Sequence, residues 1–192
     1  MGHLDVPLND IGCKQAYYAA KYLISYTFDA IYSSSSARAK ETAEIIHRYI
    51  EEETDEIIPL SFDASLMERG MGRFEGMLLC DLLEEITTEE AEAWDEIDWA
   101  PVDGESRIEV EARVISFINM LRKTHQNDTV LVITHGGPIK FILGQLLQIS
   151  HEKALDISQN NCSINEIQFD MDEYKIIRID DRKYLSELGI FQ

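Results

Sequence analysis

The chain has 192 residues, 45% of them hydrophobic and 28% charged, a balance that supplies a core and excludes a disordered chain. A formal net charge of −19 speaks against nucleic acid or an anionic membrane as partner, and leaves any anion site to be built from local positive groups. The three cysteines, Cys13, Cys80 and Cys162, form neither a CxxC pair nor a disulfide framework, and no apolar run suits a membrane span or signal peptide, so a reducing, cytoplasmic setting is expected.

In chain order, residues 9–26 have helical spacing with Asn9 or Asp10 placed to cap them, and 29–34 form a short β-type run. Residues 36–53 are amphipathic, with Ala39, Ala43, Ile46 and Ile50 along one face. Residues 56–62 are a second strand candidate. An acidic segment, 76–100, carries Trp94 and Trp99 and reads as an insertion of short helices. A long helix over 104–125 has Val110, Val114, Phe117, Ile118 and Leu121 as its apolar stripe. The run Val130–Ile133 predicts a buried strand over 129–134. A helix over 138–148 follows, then a hairpin built from 163–171 and 174–180. The tail, 180–192, ends in apolar residues suited to covering an edge or docking a partner. The repeated strand–helix order predicts a single α/β domain, 1–192, with a mostly parallel sheet. Ligands collect beyond the carboxyl ends of such strands, where Ser33–Arg38 and His135–Gly137 both fall.

Three positions stand out for chemistry. In "YSSSSARAKETA" (32–43) at least one serine is a helix cap, but Arg38 in the first helical turn works against the macrodipole. A bound anion would explain it, since a guanidinium and free N–H groups together clamp a phosphate. Alone, the structural reading of Arg38 has the edge. In "LMERGMGRFEGM" (66–77), Glu68 precedes a loop spaced by Gly70, Gly72 and Gly76. It suits a general acid beside a phosphate site, or an ordinary salt bridge to Arg69 or Arg73, and alone the salt bridge is the better reading. His135 closes a strand and is followed by Gly136, Gly137 and Pro138, a helix start that lets backbone approach a ligand. Here the functional reading leads.

The blocks "GHLDVPLNDIGCKQ" (2–15), "YSSSSARAKETA", "LMERGMGRFEG", "PVDGES" (101–106) and "VITHGG" (132–137) resemble, in order, those of the histidine phosphatase superfamily, the phosphoglycerate mutase-like proteins. The resemblance implies a three-layer α/β/α sandwich and phosphoryl transfer on a small phosphorylated substrate, without metal or other cofactor. It gives Arg38 the phosphoryl oxygens, Glu68 the proton for the leaving oxygen, and His135 the transferring group. Gly136 adds backbone donors and Gly2 matches a substrate-loop glycine. Hydrolysis is expected over mutase-type transfer, because no feature marks an enclosed site that reorients a bisphosphate.

The same resemblance puts the nucleophile in an Arg-His-Gly tripeptide at the end of a first strand, upstream of the segment that opens this chain. No such tripeptide occurs in the sequence, and His3, His47, His125 and His151 have the wrong surroundings to replace it. The domain is therefore expected to be N-terminally incomplete, its first strand missing and two neighbouring strands short of a partner unless rearrangement or a second copy closes the gap. Three readings account for this: a start assigned too late, a folded but inactive truncation, or a phosphoester-binding or scaffolding protein that kept the clamp.

Overall fold

The computed structural model describes residues 2–170 and 173–186. Asn9 opens α1 (Asp10–Leu23) by accepting the Gly12 N–H at 2.9 Å. The strand β1 (Ala30–Ser34) leads into α2 (Ala37–Thr54), which buries the face foreseen from its spacing: Ala39, Ala43, Ile46 and Ile50. The next strand, β2 (Leu60–Asp63), starts later than its sequence suggests. Pro59 has no N–H for a ladder and offers only its carbonyl, to the Ile31 N–H at 2.8 Å, while Ile57 stands 92% exposed.

Two single 3-10 turns follow, Ala64–Leu66 and Gly72–Phe74. The acidic segment holds two short helices, α3 (Leu79–Glu85) and α4 (Thr88–Ala93), tied down where Trp94 meets Phe74 and Trp99, at ring separations of 5.8 and 5.2 Å. A capping box of Ser106 and Glu109 starts α5 (Arg107–Thr124). Then come β3 (Val130–Ile133), α6 (Gly136–Leu147), α7 (His151–Leu155), β4 (Ile164–Asp170), β5 (Glu173–Asp181) and α8 (Lys183–Ser186). Of the tail, Tyr184 and Leu185 are buried. Residues 171–172 and 187–192 lie outside the described residues.

Strand period and helix period together sort the side chains into layers. In the parallel sheet, ordered β2-β1-β3, Ile31, Leu131 and Ile133 point to one face and meet Ala19, Ala20 and Leu23 of α1 and Ile46 and Ile50 of α2. Their neighbours Tyr32, Val130 and Val132 point to the other face and meet Val110, Val114 and Phe117 of α5 and Phe141 and Ile142 of α6. The result is an α/β/α sandwich with two cores, in which each fully buried aliphatic side chain contributes roughly 1.5–3 kcal/mol.

The β3 residues are half-buried throughout rather than buried as expected. The strand pairs with β1 alone, and its far edge has no ladder partner among the described residues. The hairpin β4-β5 forms a separate antiparallel sheet. Among the described residues no helix is long and apolar enough to cross a membrane.

Candidate active site

The link from β1 to α2 brings the first group into place. Ser36 is the N-cap residue of α2, yet its hydroxyl lies against His135 and makes no capping bond. Asp5 does that work instead, accepting the Ala37 N–H at 2.7 Å. One residue on, the Arg38 guanidinium donates to the Gly2 carbonyl at 2.9 Å and the Leu4 carbonyl at 3.2 Å. Those carbonyls hold a cation that the helix dipole disfavours. The segment that supplies them is fixed in turn by Glu75, whose carboxylate accepts the N–H groups of His3, Leu4 and Met71 at 2.7, 3.1 and 2.7 Å.

His135 stands between the end of β3 and the start of α6. Its Nε2 is 2.8 Å from the Ser34 hydroxyl and 3.1 Å from that of Ser36, which ties β3 to the link after β1 at the carboxyl end of the sheet. Burial, and then the charge on Arg38, with smaller effects from Arg113 and His3, lower its pKa to about 3. The imidazole is neutral at neutral pH, and Arg38 is near enough to matter to it.

Glu68 leaves the first 3-10 turn and reaches α6. One carboxylate oxygen accepts its neighbour Arg69 N–H at 2.9 Å and the other accepts the Gly137 N–H at 3.2 Å. A Cβ on Gly137 would sit 2.3 Å from Oε1 of Glu68, so only glycine allows this approach. No such demand exists at Gly136, where a Cβ would meet only Gln159 at 3.8 Å. Nor does Glu68 make the salt bridge that its neighbours suggest. The Arg69 guanidinium donates to the carbonyls of Glu105 and Trp99, and Arg73 pairs with Glu90.

Arg38, Glu68 and His135 therefore converge through Ser36 and Gly137, and Gly2 joins them through its carbonyl. Sequence reasoning passed over the residues that hold them. Arg113, on the long helix, donates to the carbonyls of Ser65, Met67 and Glu68 at 2.8, 2.7 and 3.0 Å and pairs with Glu105 at 2.9 Å. Burial pushes the Glu105 carboxyl up, but hydrogen bonds from Arg113 and the Gly70 N–H outweigh it and leave the group below the ordinary carboxylate range. Both Asp5 and Glu105 lie inside blocks already singled out, "GHLDVPL" and "PVDGES". Arg113 had no such signal, because a reading by apolar stripe ignores a cation between its members.

Chemically the arrangement offers a fixed cation, a neutral imidazole, a carboxyl and two helix starts at one end of the sheet, the components of an oxyanion site. Known proteins point the same way. The sequence profile of the histidine phosphatase superfamily (branch 1) matches residues 1–182. Phosphoglycerate mutase-like protein 4 of Arabidopsis thaliana is 30% identical over 198 aligned positions, covering 100% of this chain and 81% of that protein. Phosphoserine phosphatase 1 of Hydrogenobacter thermophilus is 30% identical, covering 98% and 87%. The solved structure of YhfR from Bacillus stearothermophilus superposes with a TM-score of 0.84 at 25% identity, covering 96% of this chain and 90% of that one. Ordered motifs, layered fold and matched length agree: the chain belongs to the histidine phosphatase superfamily, branch 1.

Proposed function

We propose that this chain binds a small phosphate monoester and assists its hydrolysis. Arg38 takes the phosphoryl oxygens, His135 offers a hydrogen bond to the group in transfer, and Glu68 gives a proton to the alcohol oxygen as water bonds to phosphorus and the ester P–O bond breaks, the water's proton passing to the carboxylate so formed. The observation that carries this reading is placement. Arg38, Glu68 and His135 share the carboxyl end of the sheet, and neither Arg38 nor Glu68 joins an ion pair among the described residues, which leaves a cation and a carboxyl beside a neutral imidazole. The relatives are phosphatases and mutase-like proteins, which supports phosphoryl hydrolysis or transfer as the general chemistry.

The family's two-step route passes through a phosphohistidine, and the Arg-His-Gly tripeptide that would supply it is absent from residues 1–192. What these residues carry by themselves is the binding and proton-donating part of the site. A second reading of the same groups is a phosphate-binding protein without turnover. Calorimetric titration with orthovanadate tests the shared part: saturable binding is expected, weakened about ten- to a hundredfold in Arg38→Ala. Turnover of p-nitrophenyl phosphate then separates the hydrolase from the binder. If vanadate shows no saturable, Arg38-dependent binding, both readings fail.

A further inference from the structure

Beside the clamp lies a cavity of about 360 Å3 lined by His3, Gly70, Gly72, Arg73, Glu75 and Asp103. His3 stands between Gly2 and Leu4, whose carbonyls hold Arg38, and its Nε2 is 2.8 Å from the Glu68 carbonyl. The cavity wall thus includes the residue that stands between the two whose carbonyls hold Arg38.

Its walls are rigid. Gly72 has φ +50, and a Cβ there would lie 2.0 Å from the Val102 carbonyl oxygen and 2.5 Å from the Gly104 nitrogen. Backbone bonds of 2.9 Å, from Arg73 N–H to Val102 and from Glu105 N–H to Gly70, lock the two loops together. At the tip Asp103 holds φ +60, a left-handed conformation that few residues other than Asn, Asp and Gly accept.

The charges around this cavity are sorted by sign. Arg73 is engaged with Glu90 and lies 4.2 Å over the Phe74 ring. Arg69 donates to backbone carbonyls, Arg107 pairs with Asp95, Arg113 pairs with Glu105, and the His3 imidazole lies 3.4 Å from that same Glu105 carboxylate. Every one of these cations already has its partner. The acids on the wall are Glu75, whose carboxylate accepts three backbone N–H groups, and Asp103, which is exposed and has no hydrogen-bond or ion-pair partner among the described residues. A second anionic group on the ligand would face carboxylates with no cation left to meet it.

We infer that an ester held on Arg38 extends its alcohol half into this cavity, so that the site takes the monophosphate ester of an uncharged or cationic alcohol and rejects an ester bearing a second anionic group, with Asp103 as the specificity-determining residue. The inference rests on the phosphate-ester reading above and deepens it. It also sets the chain against mutase chemistry on a bisphosphate, which needs counter-charges for two phosphoryl groups.

Glycerol 3-phosphate and 3-phosphoglycerate make a matched test, since a hydroxymethyl group in the first replaces a carboxylate in the second. Titrated calorimetrically into the full chain at low salt, glycerol 3-phosphate is expected to bind about tenfold tighter, and Asp103→Asn to narrow that ratio about three- to tenfold. Asp103→Gly tolerates the same φ and repeats the test without a polar side chain. Binding of both esters should weaken together in Arg38→Ala. If 3-phosphoglycerate binds as well as glycerol 3-phosphate or better, or both Asp103 variants keep the wild-type ratio, the inference is overturned while the phosphate-ester reading stands. If neither ester binds, both are overturned.

Discussion

Burial and the Arg38 guanidinium hold the His135 imidazole neutral, with a pKa of about 3, whereas in the unfolded chain it titrates near the ordinary ~6.5. Between those two values the unfolded state binds more protons than the folded one, so stability contributed at neutral pH is lost as pH falls below the unfolded value. His135→Asn removes that titration. From about pH 7 to about pH 5, above the range where the carboxylates protonate, the wild type is expected to lose ~2 kcal/mol more than the variant in urea unfolding. Parallel losses in the two proteins would show that the imidazole is not held neutral by the fold. On the proposed reading, a phosphate dianion beside Arg38 would meet an imidazole already desolvated and held by Ser34 and Ser36.

At the scale of elements, α2 depends on a cap that does not come from its own sequence neighbours. Ser36 gives its hydroxyl to His135, the first turn holds no acidic residue, and the Asp5 carboxylate accepts the Ala37 N–H from across the fold. Asp5→Ala is expected to cost about 1 kcal/mol and lower the melting temperature by roughly 2–4 °C, while Asp5→Asn, which keeps the acceptor, should cost only a few tenths. Equal melting of all three proteins would remove Asp5 as the cap. This substitution of one residue for another explains what could be read from the sequence. The buried face Ala39, Ala43, Ile46 and Ile50 followed from a period of 3.6, which depends on nothing outside the helix. His135 stood out from its own surroundings, a strand end followed by two glycines, whereas Arg38 and Glu68 each had an ordinary structural reading until the ordered blocks of the resemblance singled them out. The work of Asp5, Glu75 and Arg113 was not legible, since each acts on backbone 32, 71 and 45–48 positions away. The half-burial of β3 was equally hidden, because a run of Val, Leu, Val and Ile records apolarity and not the number of strands beside it.

Over the whole molecule two fields act on an anionic ligand in opposite directions. The net charge of −19 repels it at long range, and Arg38, backed by the starts of α2 and α6, attracts it at hydrogen-bonding range. Salt separates them by distance. The screening length falls from about 30 Å at 0.01 M to about 8 Å at 0.15 M, which removes most of the repulsion and leaves contacts of ~3 Å nearly untouched. Affinity for orthovanadate is therefore expected to rise, about twofold or more, as sodium chloride is raised across that range. Chloride competing for the clamp works in the other direction, so any rise understates the relief of repulsion. A steady fall in affinity that persists when the salt carries an anion too bulky for the clamp would mean that orthovanadate binds somewhere other than at Arg38.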